Sequence, residues 1–303
     1  MMQMSKGMSQ VVEGKETLEA IRKRLEKEQR DIKIRAFMKN RLSIIGLLII
    51  SILIVLAIIA PLITHFDPLE IDVVNRIKAP STLHWFGTDS LGRDVYTRVI
   101  YGTRISLIVG FSVSIIAGSL GMIIGLYSSY NVILDNILMR ICDGLKAIPS
   151  TLLAICLMAV LGADIKNVII SLTVVNTPII ARIARAAALV AREQTYIEAM
   201  HCLGASPSRI LWKHIAPNTL SPVIVQMTFV FATAIISEAA LSFLGAGVPI
   251  PLPSWGSILT EGKQYIYNAW WLIVYPGTFT AISVLGFNLF GDGLRDLLDP
   301  LTK

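Results

Sequence analysis

Charge is scarce in this sequence. Asp, Glu, Lys and Arg make up 16% of the 303 residues, whereas hydrophobic residues reach 54%. A soluble domain is ordinarily about a quarter charged, and here the apolar residues fall in blocks too long for a water-soluble core. Cysteine is scarce too. Cys142, Cys156 and Cys202 are an odd set without metal-ligand spacing, which argues against a disulfide framework. The four histidines, His65, His84, His201 and His214, all fall in loops. His201 and His214 are too far apart for a metal pair on one helix and lack a Glu at zincin spacing, so all four read as structural or solvated. A phosphate-binding loop is missing as well. Gly14-Lys15-Glu16-Thr17 lacks the upstream Gly and the preceding strand, so ATP hydrolysis is not expected of this chain. No catalytic constellation and no cofactor site emerge.

What is present is a set of apolar spans with basic ends. Net charge is +6, but the basic residues form no stripe suited to nucleic acid. They gather at span ends, as in a membrane protein. Residues 1–41 form a polar tail with eleven Lys/Arg and six Asp/Glu, and Leu18, Ile21, Leu25, Ile32 and Ala36 suggest a loosely amphipathic helix there. The tail lacks the apolar region of a cleaved signal. Leu42–Thr64 is uncharged and long enough to cross a bilayer, and the basic tail before it places the N-terminus in the cytoplasm. Further spans are expected at Ile105–Tyr130, Ile137–Leu161 (kinked at Pro149), Asn167–Val190, Thr219–Phe243 and Trp270–Phe290. The division is therefore a cytoplasmic tail (1–41), a first span (42–64), an extracytoplasmic segment (65–103), a five-helix core (104–292) and a cytoplasmic C-terminal tail (293–303). With both ends inside, twenty of the 27 Lys/Arg lie in the tails, the 191–217 loop or the inner span ends. In the second span Gly110, Ser114, Gly118, Gly121 and Gly125 recur at helical spacing. Such residues let helix backbones approach closely in lipid, so this span should be interior.

The loop at 191–217 has a grammar of helix, break, helix. Ile197–Leu203 holds good helix formers. Gly204 can take positive φ and close the turn, Ser206 is placed to cap a second helix, and Pro207 suits its first position. Pro217 is expected to end it. Two short helices between spans make a knob that another protein can grip. An ordinary amphipathic hairpin is the bland alternative.

The wording of this loop resembles the EAA loop of ABC-importer permeases, with Glu198, Ala199, Gly204 and Pro217 in register; Met200, His214 and Ala216 depart from the pattern. Further blocks extend the likeness from about residue 40 to 300. They are FGTDSLGRD (Phe86–Asp94), LMRICDG (Leu138–Gly144), SEAALSFLG (Ser237–Gly245), PSWG (Pro253–Gly256) and FNLFGDGLRDLLDP (Phe287–Pro300). Together they are similar to the dipeptide/oligopeptide class of permease subunits, which has one span ahead of a five-span core. The resemblance implies an all-α fold of six transmembrane helices, the type I ABC-importer permease fold, in a cell membrane. It implies a heterodimer with a homologous permease, two P-loop ATPase subunits that bind the ATP and Mg, and an extracytoplasmic solute-binding protein. It assigns ATPase coupling to Glu198, Ala199, Met200, Gly204, Ser206 and Pro207. Nickel, opine-type chelates and glutathione are rival solutes, because related permeases serve them. An ion-driven secondary transporter would need charges at span centres, and these centres are uncharged.

Two carboxylates, Asp143 and Glu238, are the candidates for the translocation pathway, because an acid within an apolar span faces a partner or a water-filled cavity. Arg140 and Lys146 on the same helix are a ready explanation for Asp143. Glu238 has no basic neighbour in its span, so its partner is a residue elsewhere or the passing solute; a permanent pair with an Arg is the structural competitor. Arg182, Arg185 and Arg192 read as snorkelling to the interface.

Overall fold

The structure is a computed structural model, and it describes residues 40–249 and 251–298 together with Ile21, Arg24, Leu25 and Glu28 of the tail. The rest of the expected tail helix lies outside the described residues. Among these residues there is no strand, only one isolated bridge between Thr88 and Asp94.

Arg41–Ile63 (α1) begins where Asn40 accepts hydrogen bonds from the N–H groups of Leu42 and Ser43 (3.1 and 3.3 Å). An Asn at this position satisfies donors that have no partner inside the helix. Val95–Tyr130 (α2) is capped by Asp94, which accepts from Thr97 N–H. It starts ten residues earlier than the apolar run, because Val95–Arg104 continues the same helix out of the expected span. Ile165–Arg192 (α5, following the α3–α4 pair described next) is the most deeply buried of the long helices, and α1 is the least.

Between α2 and α5 the expected single kinked span is instead two helices, Val132–Ala147 (α3) and Ser150–Leu161 (α4), bent by 95° at the break. Pro149 is the reason. It has no N–H to donate, and it drives the preceding Ile148 to extended backbone (φ −89°, ψ 133°), the conformation a residue before proline prefers. The described residues thus hold five helices long and apolar enough to cross a membrane, or six with the bent pair as one broken span.

Thr195–Cys202 (α6) and Pro207–Ile210 (α7) form the knob. Pro217 does not end the second knob helix. From Ile210 the chain passes through a π-helical turn, Leu211–Ile215, straight into Ala216–Phe243 (α8), giving one rod from Pro207 to Phe243. In the π-turn the Ala216 N–H reaches back five residues to Leu211 O. Pro217 falls in the first turn of α8, where its missing N–H does little harm once the hydrogen-bond ladder has already shifted.

The chain then folds back as Trp255–Gly262 (α9), between the expected spans Thr219–Phe243 and Trp270–Phe290. Trp271–Leu298 (α10) follows and runs eight residues past the expected span, into the tail. Close packing of small residues fastens the assembly. A Cβ on Gly118 would stand 2.5 Å from Met227 Sδ, one on Gly121 2.7 Å from Ile180 Cβ, and one on Gly125 2.6 Å from Ala181 O. Ser114 Oγ also donates to Met227 O (2.7 Å). The glycine row of α2 therefore lies against α5 and α8, as its spacing predicts. Helix α1 rides on α10 in the same way, where a Cβ on Gly46 would meet Phe290 N at 2.6 Å.

The segment 65–94 is ordered by charge. Asp89 accepts from the N–H groups of Leu91 and Arg93 and from both Arg93 Nε (2.7 Å) and Arg98 Nη1. The two arginines also donate to Glu261 of α9 (2.6 to 2.8 Å). Two acids and two bases, nearly all buried, neutralise one another in the manner a low-dielectric site demands. The quartet ties this segment to the start of α2 and to α9. At its exposed edge, Asp72 sits below its usual pKa, chiefly through the hydrogen bond from the Asn75 side chain.

Candidate coupling knob and buried carboxylates

The knob is built on an apolar underside. Ile197, Ile210, Leu211 and Ile215 are buried against Leu126 of α2 and Ala188 and Ala191 of α5. The turn between its helices closes as the sequence predicts. Gly204 takes φ +75°, its N–H donates to His201 O (3.0 Å), and the Ala205 N–H donates to Met200 O (3.0 Å). This paired pattern satisfies two carbonyls at the end of α6. Ser206 occupies the cap position and Pro207 the first position of α7, but the Ser206 side chain makes no cap hydrogen bond; only its carbonyl is used, by Ile210 N–H (3.1 Å).

Glu198 and Ala199 are exposed and Met200 is half-buried against the underside. Leu203, at the tip, is 81% exposed. The Glu198 carboxylate makes no hydrogen bond or ion pair with any described residue. A second strap comes from Asn218, whose Nδ2 donates to Tyr196 Oη (2.9 Å) and to His214 O (2.7 Å). The outcome is a rigid platform. One apolar face is fixed to the bundle, and one exposed face carries a carboxylate and a large apolar tip.

Asp143 is paired, though not with Arg140 or Lys146. Arg182 Nη2 of α5 donates to its Oδ1 (2.7 Å), and both side chains stay about half exposed. Close by, Arg185 grips Asp135 with two hydrogen bonds (2.5 and 2.6 Å), the fork geometry that makes Arg–carboxylate pairs strong. Arg192 donates to Ser129 O (2.8 Å) and lies 5.7 Å from the centre of the Tyr130 ring. The three arginines thus knit α5 to α2 and α3, and the snorkelling reading gives way to specific pairing. Asp135, Asp143, Arg140, Arg182 and Arg185 share a cavity of about 320 Å³.

Glu238 is completely buried where α2, α8 and α9 meet. It has no cation within ion-pair distance among the described residues. Three hydroxyls donate to it: Ser254 (2.8 Å) and Ser242 (2.9 Å) to Oε1, and Ser106 (3.4 Å) to Oε2. Each hydroxyl in turn accepts a backbone N–H, from Ser257, Val248 and Trp255 respectively (3.0, 3.1 and 3.3 Å). Two of those N–H groups belong to the first turn of α9, whose positive dipole end favours a nearby anion. Gly256 makes the approach feasible, because a Cβ there would stand 2.7 Å from Ala239 Cα and 3.1 Å from Glu238 Oε1. The carboxylate is enclosed by its serines.

Two features escaped the sequence. The Asp89–Arg93–Arg98–Glu261 quartet joins residues 163 to 168 positions apart, and no local pattern announces Glu261. Helix α9 did leave a faint signal, since Ser254 and Ser257 form a capping box, but Ser replaces the usual Glu or Gln.

Comparison with known proteins agrees with this architecture. Residues 117–303 match the family model described as binding-protein-dependent transport system inner membrane component, and residues 30–80 match the N-terminal transmembrane domain of oligopeptide transport permease C. The chain is 47% identical over 269 residues to a putative peptide transport system permease protein of Brucella abortus, covering 89% of this chain and 91% of that protein. It is 42% identical to the oligopeptide transport system permease protein OppC of Bacillus subtilis, with 87% of each chain covered. A glutathione transport system permease protein of Escherichia coli is 43% identical, with 89% of each covered. Among solved structures, the inward-facing MetNI methionine ABC transporter shares the fold (TM-score 0.56, 21% identity, 67% of this chain and 96% of that one). A helical bundle of the type I importer fold, a projecting two-helix knob and these matches converge: the chain belongs to the family of binding-protein-dependent transport system inner membrane components, multi-pass permeases that work with ATPase and binding-protein partners.

Proposed function

We propose that this chain is one of two homologous membrane-spanning halves of an importer for di- or oligopeptides, paired as a heterodimer and driven by two ATPase subunits at the knob. The carrying observation is mechanical. The second knob helix and α8 are one rod, from Pro207 to Phe243, and Glu238 at its far end is fastened to α9. Displacement of the knob by an ATPase is therefore delivered along the rod to the opposite side of the bundle. In this reading Glu198, Ala199, Met200 and Leu203 meet the ATPase, while Gly204, Ser206 and Pro207 set the angle between the knob helices. Both termini lie in the cytoplasm, on the strength of the basic tail and the 191–217 loop, whose charge is positive-inside. ATP hydrolysis and Mg binding belong to the ATPases.

The peptide assignment rests on the names of the relatives, including a dipeptide transport system permease protein of Alkalihalophilus pseudofirmus at 45% identity. The glutathione permease supports a second reading within peptide-like solutes. In this reading Asp143, at the inner end of the bundle, ties α3 to α5 through Arg182, and Glu238 anchors α9. The test is uptake of labelled dipeptides, longer peptides and glutathione by proteoliposomes holding the complete complex. Uptake that requires both ATP and the binding protein is expected. ATP hydrolysis stimulated by the binding protein without uptake of any of these solutes would overturn the peptide assignment.

A further inference from the structure

Three clefts share one face of α5. The largest, of about 490 Å³, has Ser221, Gln226 and Phe229 of α8 along its floor, with Ile183 of α5 and Arg295 of α10 at its sides. A second, narrower cleft lies between α4 and α8, where Ser150, Thr151 and Ser237 meet Leu172 and Val175 of α5. The third holds the Asp143–Arg182 pair. At 3.6 residues per turn, Leu172, Val175, Arg182 and Ile183 fall within about 100° of one another on α5. By the same count Gln226, Phe229, Thr233 and Ser237 fall within about 80° on α8.

This face is not built for lipid. Elsewhere the exposed residues of the spans are apolar, such as Ile52 and Ile58 of α1 and Ile108 and Ile115 of α2. Here an ion pair stands about half exposed, with Arg182 about 15 Å short of the inner end of α5. Charges at that depth belong against protein or water. The α8 part carries uncharged polar groups. Gln226 and Ser237 are half-buried and make no hydrogen bond with any described residue. Thr233 is exposed and donates to Val230 O (3.0 Å), which leaves its oxygen free to accept. From Gln226 to Ser237 the track covers about 16 Å of helix, half of a bilayer core of about 30 Å.

We infer that Gln226, Thr233 and Ser237 hold the passing peptide by its main chain. The inference rests on the proposed peptide importer, in which the face turned from lipid toward the second permease borders the pathway. An amide and a hydroxyl offer both donors and acceptors, the complement of a peptide C=O and N–H. None of the three is charged, so the contacts are the same whatever side chains the peptide carries. The cleft over Gln226 has the size of a small-ligand site, whereas close helix packing would have filled it. All three residues stand on the Pro207–Phe243 rod, so displacement of the knob moves the groups that touch the solute.

The experiment measures initial peptide uptake by the complete complex in proteoliposomes, with peptide-loaded binding protein at saturation. Gln226→Leu, Thr233→Val and Ser237→Ala, singly and combined, remove the polar groups and keep the apolar bulk. Each single variant should slow uptake about two- to tenfold, the range for one hydrogen bond, and equally for peptides with acidic, basic and neutral side chains. Peptides N-methylated at the amide should already be slow with the unaltered complex, and the combined variant should slow them little further. The second permease should still co-purify. In a chain with Cys142, Cys156 and Cys202 replaced by Ser, Gln226→Cys and Thr233→Cys should react with a water-soluble thiol reagent, and Ile115→Cys should not. Unchanged uptake in the combined variant overturns the inference. So does a loss confined to one class of side-chain charge, or an undiminished further loss with N-methylated peptides, since the contact is then not to the main chain. Loss of the second permease on purification, or unreactive cysteines at both positions, gives the face to helix packing and overturns it too. An unaltered complex that takes up no peptide at all would instead sink the importer reading on which the inference stands.

Discussion

Glu238 and Gly204 are the residues whose chemistry the structure defines most sharply. Glu238 accepts from three serine hydroxyls that pass on the N–H groups of α9 and its neighbours, and Gln in its place would turn one acceptor into a donor aimed at hydroxyls already polarised toward it. Leaving a buried donor or acceptor without its partner costs about 1–3 kcal/mol. Glu238→Gln should therefore lower the thermal stability of the detergent-purified complex and reduce uptake equally for peptides with free and blocked amino termini. Loss confined to free amino termini would instead make the residue a solute contact. At Gly204 a Cβ would meet nothing within 4 Å, so substitution acts through the backbone alone. At φ +75° a β-branched residue costs about 1 kcal/mol or more. Gly204→Val should insert normally and lose ATPase association, while Gly204→Asn, which tolerates this conformation, should retain most of it. Equal behaviour of the two, read by co-purification of the ATPases, would remove the turn from the coupling mechanism.

Elements in this protein are joined by ion pairs of unequal value. The Arg185–Asp135 fork is partly buried, with side chains 35% and 23% exposed, whereas Arg182–Asp143 is 49% and 62% exposed. Exposed pairs contribute about 0–1 kcal/mol, and two-pronged, sheltered pairs lie at or above the top of that range. Asp135→Asn should accordingly destabilise the α3–α5 contact more than Asp143→Asn, as read by the unfolding temperature of the purified complex. The reverse order would show that the exposed pair is the working one. The break at Pro149 belongs to the same scale. It turns α4 away from α3 by 95°, a bend that a proline kink in a continuous helix does not reach without losing its hydrogen bonds.

The whole molecule is polarised between a knob at one end and the Asp89–Arg93–Arg98–Glu261 plate at the other, with α8 running the distance. Cys202 on the knob and Cys156 are exposed, and Cys142 is buried. In a variant with Cys142 and Cys156 replaced by Ser, Cys202 should resist membrane-impermeant thiol reagents added to intact cells. It should react in inverted vesicles stripped of ATPase. Labelling from outside sealed cells would reverse the proposed orientation and place the knob beyond reach of cytoplasmic ATPases.

By itself the sequence determined the membrane class, the length of α1, the inward face of α2 and the turn at Gly204. Each depends on residues near one another in the chain: an uncharged run, small residues at one helical face, a residue able to adopt positive φ. Only the tertiary structure decided what Pro217 does, because a prolyl residue in a first turn ends nothing if a π-turn has already shifted the ladder. It also decided the partners of Arg182, Arg185 and Glu238, which lie on other helices. Helix α9 exists because Glu238 and Glu261 have neighbours to hold it, the one at its N-terminus and the other through Arg93 and Arg98. Burying a charge is unfavourable until its partners are in place, and those partners come together only when distant parts of the chain have packed.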